Sequence, residues 1–493
     1  MRNRNTFSAL RLISLVLLIL ALILTAMQLI RFSRVRANLP SGLKVAGVPV
    51  GTLDRQMAAQ RLLEVYSYPI ELRYNGVPIQ MSPGSAEFQL DTDKMLAIAD
   101  MQRTKRSFWA EFWDYIWGRT STPVSVPLSY SSSEARLRLF LEEIGQRYDI
   151  PPVPAQPIPG TVNFETGTTG SALDAEGAIL LIENALTSLT NRTVDLPIER
   201  TSPPRPAYET LDVLLQQTIK VSGFDGLVDI YLLDLQNAQE LHFAYQNGEL
   251  LPVEPDIAFT ASSIIKIPIM VSVYQRVDNP DEETLKLMED MVDRSGNEAA
   301  DWLMDRVMEQ GRAPLTVSED MKTLGLENTF LAGYFSAGSP LLQAFQTPAN
   351  QRSDVNTDPD RYSQTTASDI GMLLVDLYQC AENGGGALIS AFPGTITQEE
   401  CQNMIQYLVN NRLPSLLTAG LPEGTEIAHK HGWVSTNGII NTVGDAGIIY
   451  SPGGNYALVV FVHHPEQVIW DSASTLIAML SQAVYNYYNL PTR

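Results

Sequence analysis

Nineteen consecutive residues without a charge, Leu12 to Ile30, constrain this chain more than any other feature. At about 1.5 Å per residue, a helix of that length approaches the ~30 Å thickness of a bilayer's hydrocarbon core. Arg2, Arg4 and Arg11 precede the run and Arg31, Arg34 and Arg36 follow it, so basic flanks give no vote on orientation. A secretory signal has a shorter apolar core and a small-x-small cleavage site, for which only Ala21 and the Thr25-Ala26 pair offer themselves. The run therefore reads as an uncleaved anchor, with the rest of the chain as a body on one side. Six arginines and no acid in residues 1–36 leave that body at −27, against −21 for the whole chain. Such a surface repels nucleic acid.

Hydrophobic residues at 45% and charged residues at 18% fit globular domains and exclude both a disordered chain and a multi-span membrane protein. At 493 residues there is room for about three domains. Residues 1–36 form the tail and anchor. Residues 37–200 show two rounds of short strand followed by amphipathic helix, with helical spacing at Arg55–Tyr66 and Ser133–Tyr148. Between them, Trp109, Trp113 and Trp117 recur at i, i+4 and i+8 on one helix. That stripe suits either core packing or a membrane or polymer surface. The proline cluster at 201–206 reads as a linker. Residues 207–493 place strands at both ends around a helical middle, which predicts an α+β domain with one antiparallel sheet built from both termini.

Three short elements carry the chemistry. Ser263 and Lys266 are three apart at the start of an apolar helix and share a face, so the amine reaches the hydroxyl. Serine is a weak nucleophile until a base takes its proton, and a lysine kept neutral by burial or a second cation is such a base. Ser295-Gly296-Asn297 follows in a turn between helices, and Lys430-His431-Gly432-Trp433 on a strand. In this order they resemble the SxxK, SDN and KTG elements of class A β-lactamases and penicillin-binding proteins.

The resemblance spans roughly residues 207–493. It implies an extracytoplasmic serine hydrolase with an acyl-Ser263 intermediate, acting on a β-lactam or on the D-alanyl stem peptide of peptidoglycan. By position it gives Lys266 as base, Ser295 as proton relay to the leaving nitrogen, and Asn297 as a substrate-orienting amide. Lys430 would lower the Lys266 pKa and attract an anionic substrate, Gly432 would leave room for it, and the N–H groups of Ser263 and Trp433 would hold the oxyanion. The phrases Ala46-Gly-Val-Pro-Val-Gly, with its following helix, and Ser171-Ala-Leu-Asp-Ala-Glu resemble peptidoglycan-binding modules found outside bacterial membranes. They imply a cell-wall partner for 37–200.

Departures from the pattern shape what to expect. His431 stands where the family carries a hydroxyl, the Ser263-to-Ser295 interval is short for a class A enzyme, and no arginine anchor follows Lys430 until the last residues. There is no glutamate between Glu327 and Glu382 to drive deacylation, which leaves Asp354, Asp358 and Asp360 to supply the acid. A slow-deacylating D,D-peptidase is one alternative, and a non-catalytic peptidoglycan receptor another. His429 and His431 on one strand lack a third ligand, so no metal is expected, and no phosphate-cradling loop or other cofactor motif appears. Cys380 and Cys401 are either two buried thiols or a bridge that, closing a loop of about twenty residues, would contribute about 3 kcal/mol.

Overall fold

The computed structural model describes residues 4–119, 125–411, 413–436 and 438–490. It divides into two compact units, residues 1–152 with 169–202, and residues 153–168 with 203–493.

The first unit opens with helix α1 (Arg4–Ala37), whose Leu10–Ala37 portion is long and apolar enough to cross a membrane, a property an anchor shares with a signal sequence. Helices α2 (Arg55–Tyr66) and α3 (Thr92–Thr104) start at Asp54 and Asp91, whose carboxylates accept backbone N–H groups of the first turn. Helices α4 (Phe108–Ile116), α5 (Glu134–Tyr148) and α6 (Ala175–Thr187) follow. Strand β1 (Ile70–Tyr74) forms a hairpin with β2 (Val77–Met81), and its other edge pairs in parallel with β3 (Thr193–Asp195). This pairing joins the two rounds of strand and helix read from the sequence. A strand from the second segment completes the sheet of the first, and Leu62, Leu72, Leu141 and Ile182 share one core. The α4 tryptophans differ from a core stripe as well: Trp109, Trp113 and Trp117 are 58–69% exposed, and it is Phe112 that is buried.

In the second unit, among the described residues, one six-stranded antiparallel sheet runs in the order β6-β5-β4-β9-β8-β7. These are β4 (Leu227–Asp234), β5 (Glu240–Gln246), β6 (Glu249–Leu251), β7 (Glu426–Thr436), β8 (Ile439–Tyr450) and β9 (Tyr456–His463). The two chain ends meet at the β4–β9 pair, as the sequence pattern predicts. β9 up to His463, and β4 apart from the buried Asp229 and Asp234, are apolar without alternation because both faces are covered. Leu227, Tyr231, Val459 and Phe461 enter one core with α8 (Lys266–Tyr274) and α11 (Ala367–Asn383). Val228, Ile230, Leu458 and Val460 enter another with α7 (Tyr208–Ser222) and α13 (Trp470–Tyr488). Between α8 and α11 lie α9 (Glu282–Val292) and α10 (Asn297–Val307), and α12 (Gln398–Asn410) follows α11. A capping box between Thr397 and Glu400 starts α12, and Cys380 of α11 is bridged to Cys401 of α12.

Two segments depart from the linear reading. β8 begins at Ile439, not near Asp445, since Gly444 is a strand residue that lets the Phe461 ring lie where a Cβ would stand. The end of the proline segment is docked, not free: Arg205 lies 3.4 Å from Asp234 and over the Tyr488 ring, and the Pro206 carbonyl accepts the Tyr487 hydroxyl.

Candidate active site

The chain leaves a short strand at Phe259–Thr260 and turns at Ser262, which adopts φ 53°, a left-handed conformation that serine rarely takes. That turn begins a single 3₁₀ turn, Ser262–Ile265, ahead of α8. Ile264 and Ile265 are fully buried and fix it, so Ser263 is presented at the surface of a packed core. Lys266 opens α8 and is itself fully buried.

The Lys266 ammonium nitrogen, Nζ, is 3.1 Å from Ser263 Oγ, 2.6 Å from the Ser295 carbonyl oxygen, 2.9 Å from Asn297 Oδ1 and 3.2 Å from Ser295 Oγ. The carbonyl and the amide oxygen can only accept. A neutral amine has two protons and one lone pair. Its protons therefore satisfy those two oxygens, and the lone pair is left for a serine hydroxyl. Burial, and secondarily the charge of Lys430, push the Lys266 pKa down to about 7, so near neutrality about half the molecules hold the amine in that form.

Lys430 reaches the same place from β7. Its Nζ is 3.1 Å from Ser295 Oγ, and burial pushes its pKa down to about 8. Ser295, at φ 56°, thus sits between two lysines and joins them through one hydroxyl. Behind the strand, His429 and Asp445 are both fully buried, 2.9 Å apart. Burial works to raise the Asp445 carboxyl, but His429, His431 and the Leu417 N–H together hold it below its ordinary range.

His431 fills the place of the expected hydroxyl. Its Nδ1 faces the Asn411 amide nitrogen at 3.4 Å, and that same nitrogen donates to the His429 carbonyl at 2.9 Å. Nδ1 must then accept, which leaves the ring proton on Nε2. Burial and neighbouring Lys430 depress the His431 pKa to about 3, so the ring is neutral. It stacks on Trp433, which in turn meets the edge of Trp470. Gly432 is required by packing: a Cβ there would lie 2.8 Å from Ser262 Cβ and 2.9 Å from Ser263 N.

Two chambers meet at Ser263, Asn297 and Trp433. The larger, about 800 Å³, is lined by Asp293, Arg294, Ser295, Asn411 and His431. The smaller, about 380 Å³, is lined by Tyr334, Phe335, Ser336, Asp360 and Tyr362. Asp360 is the one expected acid that lines a chamber. Asp354 is turned away, in a bidentate pair with Arg352 that holds its carboxyl down to about 2, and Asp358 lines neither chamber.

Asp301 escaped sequence reasoning. Buried one turn after Asn297 on α10, it accepts the N–H groups of Phe335 and Ser336 at 2.9 Å each and the Ser336 hydroxyl at 2.6 Å. It thereby pins the wall of the smaller chamber and sets the Phe335 ring 5.3 Å from Lys266 Nζ. The i, i+4 spacing from Asn297 was the available signal. Among the described residues, no group of three or more His, Cys, Asp or Glu could hold a metal ion.

Residues 283–488 match the model of the beta-lactamase enzyme family. The second unit carries a β-lactamase-like domain. The match starts beyond Ser263 and Lys266, so those two rest on the geometry above. Similar solved structures include PBP-A, 22% identical over 58% of this chain and 98% of that one (TM-score 0.41). Others are TLA-3 extended-spectrum beta-lactamase, 17% identical over 57% and 99% (0.42), and a beta lactamase from Xanthomonas campestris pv. campestris str. ATCC 33913, 17% over 56% and 98% (0.40). No curated protein matches the chain. In this β-lactamase-like domain the two lysines and two serines are linked by steps of no more than 3.2 Å along the path Ser263–Lys266–Ser295–Lys430.

Proposed function

We propose that this β-lactamase-like domain is a serine acyl hydrolase of the bacterial cell envelope, opening the amide of a β-lactam or of a D-alanyl stem peptide through an acyl-Ser263 intermediate. The observation that carries this is the Lys266 amine, 3.1 Å from Ser263 Oγ, with its other acceptors already assigned to its two protons.

In the reaction, Lys266 takes the Ser263 hydroxyl proton as Oγ bonds to the substrate carbonyl carbon. The resulting oxyanion lies between the N–H groups of Ser263 and Trp433, with Gly432 leaving the approach clear. The C–N bond then breaks, the departing nitrogen takes the Ser295 hydroxyl proton, and the lysine pair restores it. Lys430 supplies positive potential for a substrate carboxylate, and the neutral His431 Nε2–H substitutes for the missing hydroxyl. Asn297 faces both chambers and orients the acyl side chain.

Water must then release the acyl group. Asp360, which lines the smaller chamber on a shorter arm than a glutamate, is the candidate for this, and the reading favoured is slow deacylation of the penicillin-binding type. Residues 1–36 serve as a single-pass anchor, and the Cys380–Cys401 bridge supports an oxidising, extracytoplasmic location for the body. The first unit is the cell-wall-binding part.

Time-resolved intact mass of the protein with a penicillin tests the reading. A long-lived adduct, absent in Ser263→Ala, is expected. An unlabelled, unreactive wild type across several β-lactams and a D-alanyl peptide would overturn it in favour of a non-catalytic receptor.

A further inference from the structure

Helix α4 has no role in the reaction, yet it is the strongest surface feature of the first unit. Its inner face closes on the end of α1. The Phe32 ring, 5% exposed, lies 5.2 Å from Phe108, 5.4 Å from Phe112 and 5.3 Å from Tyr115. Arg36 pairs with Glu111 at 2.9 Å and covers the Phe108 ring at 4.9 Å. Arg103 donates to the Ala37 carbonyl at 2.9 Å, and Arg106 pairs with Asp114 at 2.8 Å. The outer face carries Trp109, Trp113, Trp117 and Ile116, exposed by 63, 58, 69 and 42%. Three indoles side by side in water are an unusual expense unless something covers them.

The contact with Phe32 says what does. Phe32 is two residues past Ile30, where the uncharged run ends, a rise of about 3 Å. Helix α4 is therefore held within about one helix diameter, ~10 Å, of the end of the apolar run. That is the depth of the headgroup layer, where tryptophan is favoured because its ring is apolar and its N–H polar. The surroundings are basic although the chain is acidic: Arg31, Arg34, Lys105 and Arg119 accompany the three arginines already named. The two acids on the helix, Glu111 and Asp114, are both paired.

We propose that α4 is an interfacial helix, lying in the headgroup layer of an anionic phospholipid bilayer beside α1, with Trp109, Trp113 and Trp117 inserted. This rests on the reading of α1 as a membrane anchor. It makes α1 and α4 a two-point attachment, a span braced by a surface helix, that holds the first unit against the lipid.

The test uses the full chain in vesicles of phosphatidylcholine and phosphatidylglycerol, with and without brominated acyl chains that quench tryptophan at short range. Three of the six tryptophans lie in this segment. Quenching at least twofold greater in the wild type than in W109F/W113F/W117F is expected. Equal quenching in a protein that resists alkaline extraction overturns the interfacial helix and leaves the anchor standing. Release by alkali overturns the anchor, and this inference with it. Tryptophans unquenched in vesicles but shielded by purified peptidoglycan overturn it in favour of the wall polymer.

Discussion

Replacing Lys430 by methionine tests whether the two lysines are electrically coupled. Both Nζ atoms lie within 3.2 Å of Ser295 Oγ, so they are no more than 6.3 Å apart. At that separation, with an effective dielectric of about 20, two full charges repel by about 2.6 kcal/mol, equivalent to about two pH units. Burial is the larger cause of the Lys266 depression, so Lys430, about nine-tenths charged at pH 7 with a pKa of about 8, accounts for less than half of it. The share owed to Lys430 is then roughly one unit. Methionine keeps the length and tolerates the buried site, and Lys266 should then titrate near pH ~8 instead of about 7. With the unprotonated Lys266 amine as the proposed base, acylation is expected to rise with pH through this midpoint. At pH 7 the neutral fraction falls from about a half to about a tenth, a roughly fivefold loss, whereas above pH 9 the variant recovers its plateau. The assay is the rate of adduct formation at saturating β-lactam from pH 5.5 to 9.5. A lower plateau with an unmoved midpoint would refute the coupling and leave Lys430 only a role in attracting substrate.

Gly432→Ala places a methyl against Ser262 and the Ser263 amide, neither of which can retreat; acylation should fall about 10²-fold or more with the fold intact by circular dichroism. A loss under threefold would exclude a tight oxyanion site there. Asp360→Asn should lengthen the acyl-enzyme lifetime and Asp354→Asn leave it unchanged; equal lifetimes in all three proteins would remove Asp360 as the deacylating acid. Asp301→Asn should weaken acceptance of two buried N–H groups and cost about 1–3 kcal/mol in denaturant unfolding, with no change expected if the 335–336 wall is already held elsewhere. Between pH 7 and 9 stability should rise with pH, because the unfolded chain keeps protons that folded Lys266 and Lys430 have surrendered. Lys266→Met should flatten that slope, and an equal slope in the variant would show that Lys266 is not depressed.

The sequence was most legible where geometry is local. Ser263 and Lys266 share a face through one turn of helix, and strands at both ends of residues 207–493 announce one antiparallel sheet. It was least legible where distant segments meet. β3 is three residues long and pairs with a strand more than a hundred positions earlier, so nothing in its own pattern showed that the first unit has one core. The acid that pins the chamber wall does so mainly through backbone N–H groups thirty-odd residues away, and only its i, i+4 spacing from Asn297 marks it in the sequence. The tryptophan stripe had two readings of equal periodicity, and the exposure of all three indoles sets core packing aside.

The excursion at 153–168 has a consequence for how the molecule is born. Phe164 packs 6.1 Å from Tyr487, and the Val162 carbonyl accepts the Asn486 amide, partners that leave the ribosome more than three hundred residues later. In the finished fold this sixteen-residue excursion packs on α7 as well as on the final helix. The catalytic unit is thus discontinuous: a fragment cut at residue 207 would lack Ala155 and Phe164 from its own core, and no single scission separates two intact halves. Loss of the last helix would likewise be felt at a point in the chain synthesised long before it.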